Sequence, residues 1–437
     1  MPKIQPSGLT LTLKEFAQLP PTEPKGQQAR VNKIFPIGNG NQRLFAHDLR
    51  GKLYEIEEGK SHLFLDLAAM KPAFMHTPGH GTGMGSFAFH PQYDHNGLFY
   101  TTHTEQPEKS DPADFSFSDT LPRKVRYVLT EWKQNDPQSS EFEGTQREIF
   151  RIDMVTQIHG VQNIAFNPLA EEGDEDYGLL YIGIGDGGSV GARIDYLVQD
   201  KGKPWGCILR IDPLGNNSKN GHYGIPSSNP FVGEEGALGE IYAMGFRNPH
   251  RFTWDASNEG RMLATCIGQH FVEELNIIVP GANYGWPERE GTYRIDKIGD
   301  LGKLYPLPAN DSTTKYTYPV AQFDHDEGLA ICGGYVYQGN AIPELKGKYL
   351  FGEIVSGRVF MVDAASLEIG KQATIQEVAL QLENGKPATW DELTDNVRTG
   401  HNRVDFRMGI DADGELFMST KANGKIFRVV GGEVGAM

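Results

Sequence analysis

The chain has 437 residues, of which 38% are hydrophobic, and its formal net charge at pH 7 is −16. This length would ordinarily predict more than one domain, but large all-β folds reach it as a single unit. Nucleic acids and anionic membranes recruit basic surfaces, so the acidic balance argues against both as partners. The three cysteines are widely spaced and form no Cys-x-x-Cys pair, which predicts buried free thiols instead of a disulfide framework.

The first residues of the chain predict neither a secretion signal nor a membrane span. Residues 1–20 lack an apolar core of signal-peptide length, and no run of about eighteen apolar residues occurs anywhere. We predict an N-terminal extension over residues 1–29, with a short helix at residues 13–18. A single domain is predicted over residues 30–437.

One sequence unit recurs through the predicted domain: a short alternating strand, a turn with Asn, Asp or Gly, and a second strand. Clear copies lie at residues 86–100, 163–182 and 408–418. About six copies occur at intervals of roughly 55 to 90 residues, a period typical of β-propellers. We therefore predict an all-β, six-bladed β-propeller of four-stranded antiparallel blades, whose last strand pairs near residues 30–60. The repeat alone also leaves five or seven blades open. The segments predicted as long face loops are residues 105–147, 211–236, 288–318 and 380–400.

Two Gly-rich segments offer a base and a group that could orient it. His159 precedes the strand-like residues 161–166, and Asp186 lies within the glycine-rich run 183–188. A neutral imidazole is the natural base for a hydroxyl proton near neutral pH, and a carboxylate can fix its tautomer. The residues alone leave open a structural alternative, in which the histidine caps a strand and the aspartate fills a turn.

A second candidate feature is the dipeptide Arg247-Asn248, which is followed by Pro249. Proline restricts the backbone, so both side chains are expected to be held in place. A planar guanidinium at this position suits a carboxylate or a quinone oxygen. The alternative is an arginine that bridges two blades.

Together with the run Gly-Ala-Asn-Tyr-Gly-Trp-Pro at residues 281–287, these motifs occur in an order that resembles a known family. The chain resembles the soluble quinoprotein sugar dehydrogenases, the glucose/sorbosone dehydrogenase family that uses pyrroloquinoline quinone (PQQ). The resemblance implies that His159 takes the proton of the sugar anomeric hydroxyl while a hydride passes to PQQ. It also implies that Asp186 orients this base and that Arg247 and Asn248 contact the quinone oxygens.

The resemblance further implies a Ca²⁺ ion on PQQ, held by two successive backbone carbonyls. Those carbonyls would belong to Gly268 and Gln269, upstream of the Glu-x-Asn at residues 274–276. The second of the two positions is usually proline in the family, and here it is glutamine. Backbone oxygens are ligands that this hard cation accepts readily.

The residues that would bind the PQQ carboxylates depart from the family pattern. A glutamine of the family falls on Gly81, and a lysine aligns near Val355. The late Arg-x-Arg of the family appears here as Arg403 and Arg407, which we predict to bind the cofactor, with Arg251 and Lys203 as further cations that could serve. Since each buried carboxylate needs a cation or several donors, the chain is expected to be a divergent member.

The resemblance implies a quinoprotein oxidoreductase that oxidises an aldose or a related alcohol and passes electrons to an external acceptor. No Cys-x-x-Cys-His haem motif is present, and a periplasmic or secreted location is expected from the family. Two other classes stay open: a non-enzymatic Ca²⁺-binding interaction propeller, and a metal-dependent lactonase or hydrolase. Convergent cations around the site would favour the dehydrogenase, whereas acidic and Asn side chains on one ion would favour the lactonase.

Overall fold

The computed structural model describes residues 1–38, 40–79, 81–108, 111–118, 120–297, 299–400 and 402–435. The strands of the first half are β1 (Gln5–Gln18), β2 (Val31–Gly38), β3 (Asn41–Asp48), β4 (Lys52–Glu57), β5 (Lys60–Asp66), β6 (Met84–Phe89), β7 (Leu98–Glu105), β8 (Val125–Gln134), β9 (Gly144–Met154), β10 (Val161–Phe166), β11 (Leu180–Ile184), β12 (Cys207–Ile211) and β13 (Ile241–Met244). The strands of the second half are β14 (Pro249–Asp255), β15 (Arg261–Cys266), β16 (Val272–Ile278), β17 (Arg289–Glu290), β18 (Tyr293–Ile295), β19 (Leu304–Tyr305), β20 (Ala321–Asp324), β21 (Ile331–Val336), β22 (Lys348–Glu353), β23 (Val359–Asp363), β24 (Gln376–Leu382), β25 (Phe406–Ile410), β26 (Leu416–Thr420) and β27 (Lys425–Val434).

Helices are short and few within the described residues. The α-helices are α1 (Leu67–Met70), α2 (Tyr93–Asn96) and α3 (Trp390–Leu393), and the 3-10 turns are Asp195–Leu197, Asp311–Thr313, Pro343–Leu345 and Ala364–Ser366. None of the helices in the described part of the chain has the length and apolarity that a membrane crossing requires. The all-β prediction is confirmed.

The strands pair mainly in groups of four, in chain order. Separate antiparallel sheets are formed by β2–β5, by β6–β9, by β10–β13, and by β14, β15, β16 and β20. One eight-stranded sheet has the order β21-β22-β23-β24-β1-β27-β26-β25, and β17–β19 form a small three-stranded sheet. The first strands contact one another in a closed circle, β2 to β6, β10, β14, β21, β25 and back to β2. This arrangement of four-stranded antiparallel sheets is that of a β-propeller.

The N-terminal strand corrects two predictions. Residues 13–18, predicted as a helix, belong to β1, in which the alternating Leu9, Leu11 and Leu13 are buried. The last strand, β27, pairs antiparallel with β1 and not with residues 30–60. Helix-forming residues at positions 13–18 are overridden because β27 pairs with β1 as far as Gln18, while β24 pairs with the opposite edge of β1 up to Leu13. The domain boundary after residue 29 stays a prediction.

Segments predicted as face loops contain some regular structure. Residues 105–147 include β8, the third strand of its sheet, and residues 288–318 include β17–β19. The residues of β8 are buried almost throughout, which shows that this segment belongs to the core of the fold. Residues 211–236 carry no strand beyond the last residue of β12.

Facing sheets pack through large apolar side chains, and this packing sets the positions of the first strands. Tyr100 and Tyr127 of one sheet form a single buried cluster with Ile164, Ile182 and Leu209 of the next. Each of these side chains is at most 1% exposed. Burying a side chain of this size contributes roughly 1.5–3 kcal/mol, so the loops before the first strands are held on a rigid support.

Candidate active site

One cavity of about 170 Å³ is lined by the loops that precede the first strands, by residues of those strands and by the segments that follow the second strands. The lining residues are Gly81, Ile158, His159, Gln162, Asn248, His250, Ile267, Ala330, Ile354, Arg403, Arg407 and Lys421. The structure therefore brings together four residues that the sequence predicts for the site: His159, Asn248, Arg403 and Arg407. Asp186 and Arg247 lie directly behind them.

His159 and Asp186 form a buried hydrogen-bonded pair. The Nδ1 atom of His159 lies 2.7 Å from Oδ1 of Asp186. Asp186 also accepts from the backbone N–H of Gly188 at 2.8 Å and from the indole Nε1 of Trp286 at 3.1 Å. A carboxylate fixed by three donors cannot rotate away, so it holds the imidazole in one orientation.

The glycines around this pair are required by close backbone approach. His159 itself has a positive φ of 53°, and the N–H of Gly187 donates to its carbonyl oxygen at 3.1 Å. A Cβ atom on Gly185 would lie 2.3 Å from the same oxygen, which is too close for any side chain. The glycine-rich run therefore lets two chain segments meet so that the imidazole reaches the carboxylate.

The electrostatics favour a neutral imidazole beside an ionised carboxylate. Burial lowers the pKa of His159, Arg247 lowers it further, and Asp186 raises it only in part. Burial also disfavours ionisation of Asp186, but His159, Arg247 and the Gly188 N–H together hold the pKa of this carboxyl below its ordinary value. The ionised Asp186 must accept from Nδ1–H, which leaves Nε2 of His159 as the free base.

Arg247 does not line the cavity but clamps the neighbouring loop at residues 267–269. Its Nη1 donates to the carbonyl oxygens of Ile267 at 3.1 Å and of Gly268 at 2.5 Å, and its Nε donates to Oε1 of Gln269 at 2.9 Å. The guanidinium also lies 5.8 Å from the ring centroid of Trp286. One of the two carbonyls predicted to bind Ca²⁺ is thus occupied by a cation. Because a guanidinium on an oxygen repels a second cation there, the Gly268–Gln269 pair does not fit a calcium ion.

Three basic side chains, those of Arg403, Arg407 and Lys421, line the same cavity as His159. Lys421 and Arg407 are buried, and Arg403 is half-buried. Arg407 donates to Oδ1 of Asn32 at 3.0 Å, and Arg403 donates to Oδ1 of Asp405 at 2.9 Å. Asp405 offsets part of this positive charge. Although burial disfavours its ionisation, Lys421, Arg403 and Arg407 hold the pKa of Asp405 well below its usual range.

This cation cluster fits a ligand with several carboxylates. Burial and the neighbouring Arg407 lower the pKa of Lys421 well below its ordinary value, which shows that its charge is costly where it lies. His250, also on the cavity wall, has a buried Nδ1 atom without a hydrogen-bond partner among the described residues. Carboxylates placed in the cavity would relieve the repulsion between Lys421 and Arg407 and would accept hydrogen bonds from these side chains. Residues that hold PQQ must bind its carboxylates in this way.

Sequence reasoning missed Lys421, His250 and the contact that fixes Gly81. Gln162 donates to the carbonyl of Gly81 at 2.8 Å, so this loop is positioned by its backbone. Lys421 follows β26 in a buried stretch. Its position between two apolar strands was the sign in the sequence that could have indicated a buried cation. The cavity lining includes Ile354, the neighbour of Val355, near which the lysine of the family aligns. The three cysteines are buried and free, as predicted.

The structure thus places a buried His–Asp pair beside a cavity lined by basic side chains in a β-propeller. The family model for Glucose / Sorbosone dehydrogenase matches residues 75–428. The chain therefore belongs to the glucose/sorbosone dehydrogenase family.

Known proteins similar to this chain include plant and bacterial members. The HIPL2 protein of Arabidopsis thaliana is 30% identical over 315 residues, which cover 64% of this chain and 43% of HIPL2. Quinoprotein glucose dehydrogenase B of Acinetobacter calcoaceticus is 24% identical over 332 residues, 69% of this chain and 62% of that protein. The chain thus spans less than two thirds of the length of either relative.

A solved structure supports the fold. The PQQ-bound form of aldose sugar dehydrogenase from Streptomyces coelicolor superimposes with a TM-score of 0.62 at 20% identity, covering 99% of this chain and 100% of that chain. At this identity the similarity shows a shared fold. A shared fold does not fix the chemistry of a site, which depends on the residues that form it.

Proposed function

We propose that this chain is a quinoprotein sugar dehydrogenase that oxidises an aldose or a related alcohol with PQQ as the hydride acceptor. The family membership supports a sugar dehydrogenase. We further propose that the ring is a six-bladed propeller. The closed circle of six first strands supports this number if the eight-stranded sheet counts as two blades joined through β1 and β24.

The observation that carries the proposal is the position of the His159–Asp186 pair on the same cavity as three cations. Nε2 of His159 is the free base, and Arg403, Arg407 and Lys421 face the same space. PQQ, when bound, supplies an electrophilic quinone carbon that takes a hydride, and it carries three carboxylates. Arg403 and Arg407 offer charged donors to these carboxylates, and a carboxylate beside Lys421 would favour its charged form.

The residues of the chain would divide the remaining work. His159 takes the proton of the anomeric hydroxyl at Nε2 as the hydride leaves the same sugar carbon, which gives the lactone. Asp186 stabilises the imidazolium that forms, and its three donors keep it ionised. Asn248, on the cavity wall, can donate its amide N–H to a quinone oxygen. An external electron acceptor then completes the turnover, and a periplasmic or secreted location stays a prediction from the family.

The charge of the cavity also separates this function from the alternatives. A metal-dependent lactonase needs a divalent cation in the channel, and Arg403, Arg407 and Lys421 would repel it. A non-enzymatic propeller has no need of a base and a cation cluster around one cavity. Both features support the dehydrogenase.

A PQQ titration of the protein tests the proposal. The absorbance of the quinone and a dye-coupled oxidation of aldoses are followed together, with and without added Ca²⁺. We expect saturable binding and turnover that rises in parallel with occupancy. A folded protein that binds no PQQ under either condition would contradict the quinoprotein assignment and leave a binding propeller as the better account.

A further inference from the structure

We propose that Arg247 takes the place of a divalent cation at the loop of residues 267–269, so that this chain holds its cofactor without Ca²⁺. The structural part of this inference concerns the loop alone. The part about the cofactor rests on the proposed function above.

Two successive peptide groups of the loop are oriented toward Arg247 by carboxylates on their opposite sides. The N–H of Gln269 donates to Oε1 of Glu290 at 2.8 Å, and the N–H of Gly268 donates to Oε1 of Glu273 at 3.2 Å. In a trans peptide the carbonyl points away from the N–H of the next residue. The carbonyls of Gly268 and Ile267 therefore point away from the two carboxylates, and both accept from Arg247.

The loop is built around Glu290. Its Oε1 atom accepts from the backbone N–H groups of four successive residues, at distances between 2.8 and 3.1 Å: Gln269, His270, Phe271 and Val272. A Cβ atom on Gly268 would lie 1.9 Å from the carbonyl oxygen of Val272 and 2.9 Å from Oε1 of Glu290, so only glycine fits here. This construction fixes where the two carbonyls point and makes them a ready-made cation site.

Gln269 explains why the cation is a guanidinium. Its side-chain Oε1 accepts from Nε of Arg247 at 2.9 Å, and its own N–H binds Glu290. The proline expected at this position from the family has neither group. The glutamine thus adds the third contact that holds the planar guanidinium against the two carbonyls, and a residue with a permanent charge occupies them.

With Arg247 in place of a metal ion, a positive charge stays beside the His159–Asp186 pair. The backbone carbonyl of Arg247 accepts from the N–H of Asp186 at 2.8 Å, and its guanidinium is close enough to lower the pKa of His159. A metal ion at the loop would supply charge to the same place. Arg247 supplies it as part of the chain, so chelators have nothing to remove.

The test compares the wild type with Arg247→Met, after treatment with EDTA and without PQQ. We expect the melting temperature of the wild type to be unchanged by millimolar Ca²⁺. The variant loses three hydrogen bonds to the loop, so its melting temperature falls, and Ca²⁺ restores part of the loss because the two carbonyls become available. The matched change Arg294→Met, in the small sheet β17–β19, should create no response to Ca²⁺. A variant Arg247→Met that responds to Ca²⁺ no more than the wild type would overturn the proposal.

The second arm measures PQQ affinity of the EDTA-treated wild type with and without Ca²⁺. We expect the two dissociation constants to agree within about threefold, a difference of under 1 kcal/mol. A larger gain with Ca²⁺ overturns the proposal that Arg247 replaces the metal. Absence of PQQ binding in both conditions contradicts the proposed function instead, and the PQQ-free melting experiment then decides the inference about the loop.

Discussion

The His159–Asp186 pair and the loop of residues 267–269 lie close together, and the same set of motifs predicts a role for each. The structure gives the pair the geometry its residues predict, with an imidazole held by a carboxylate at 2.7 Å. It gives the loop different neighbours, because Arg247 binds the carbonyl of Gly268, one of the two predicted for Ca²⁺, together with the carbonyl of Ile267. The chemistry of a side-chain pair can be predicted from the identity of its residues. Every residue has a backbone carbonyl, so the ligand of a carbonyl site depends on which cation the fold brings to it.

Arg247 links the two regions and explains why they can diverge. Its backbone supports Asp186, and its side chain supports the loop. The base keeps its orientation through Asp186 whichever cation fills the loop. The cofactor, in contrast, would meet a guanidinium instead of a metal ion at that side of the cavity. Variants that affect one region and leave the other intact can therefore separate the role of the base from that of the loop.

Replacing the base should have the largest effect. The change His159→Gln removes the free Nε2, so we expect kcat of aldose oxidation to fall by roughly 10²–10⁴-fold, the usual contribution of a general base. PQQ affinity should be retained because the cation cluster is intact. Steady-state kinetics and a PQQ titration of the same preparation measure both, with His222→Gln at an exposed histidine as the control. Near-normal kcat in His159→Gln would remove this histidine from the mechanism.

Neutralising one cation of the cluster should have a smaller effect, on the affinity for PQQ and not on kcat. The change Lys421→Gln removes one charge-assisted contact to a carboxylate, so we expect the dissociation constant of PQQ to rise about tenfold. At saturating PQQ, kcat should stay within a few-fold of the wild type, since the base is untouched. Lys60→Gln, at an exposed lysine, is the matched control for titration by quinone absorbance. An unchanged dissociation constant in Lys421→Gln would mean that this cation does not face the cofactor.

The smallest effect is expected at His90, which contrasts with His159 because no carboxylate of the described residues is hydrogen-bonded to its ring. Burial lowers the pKa of His90 to about 4, and its Nδ1 accepts from the N–H of Gln92 at 3.0 Å. Since the unfolded chain binds this proton below about pH 6.5 and the folded chain does not, stability falls as the pH decreases from 7 to 5. We expect His90 to contribute on the order of 1 kcal/mol to this loss.

Chemical denaturation of the wild type and of His90→Asn at both pH values measures that contribution. The variant should start less stable, because packing and the contact to Gln92 change, but its loss of stability between pH 7 and pH 5 should be smaller. An identical loss in both proteins would show that His90 is not protonated on unfolding in this range.

The fold was largely predictable because a propeller repeats one strand unit, and each copy carries its own turn residues. The role of β1 was missed because residues 13–18 contain good helix formers, and it is their pairing with the edge of β27 that makes them a strand. In the site, His159, Asp186 and Asn248 were found from motif residues. Lys421 was missed because a lysine after a strand is ordinarily exposed, and its burial depends on the closure of the ring.

The contact between Arg247 and Gly268 was beyond the reach of sequence reasoning. It depends on the orientation of two peptide groups, which Glu290 and Glu273 set from positions that follow in the chain. No local pattern encodes such an arrangement, because the carboxylates, the loop and the arginine come from separate elements. The glutamine at position 269 was the one visible sign that the loop differs from the family.

The most direct test of the proposed function is a single turnover of the PQQ-loaded protein without an electron acceptor. A glucose labelled with deuterium at C1 and its unlabelled form are mixed with the protein in a stopped-flow instrument, and the quinone absorbance is followed. We predict loss of the quinone absorbance in one turnover, slower for the deuterated sugar, and almost absent in His159→Gln. Tight PQQ binding with no change of absorbance on addition of any aldose would contradict a sugar dehydrogenase.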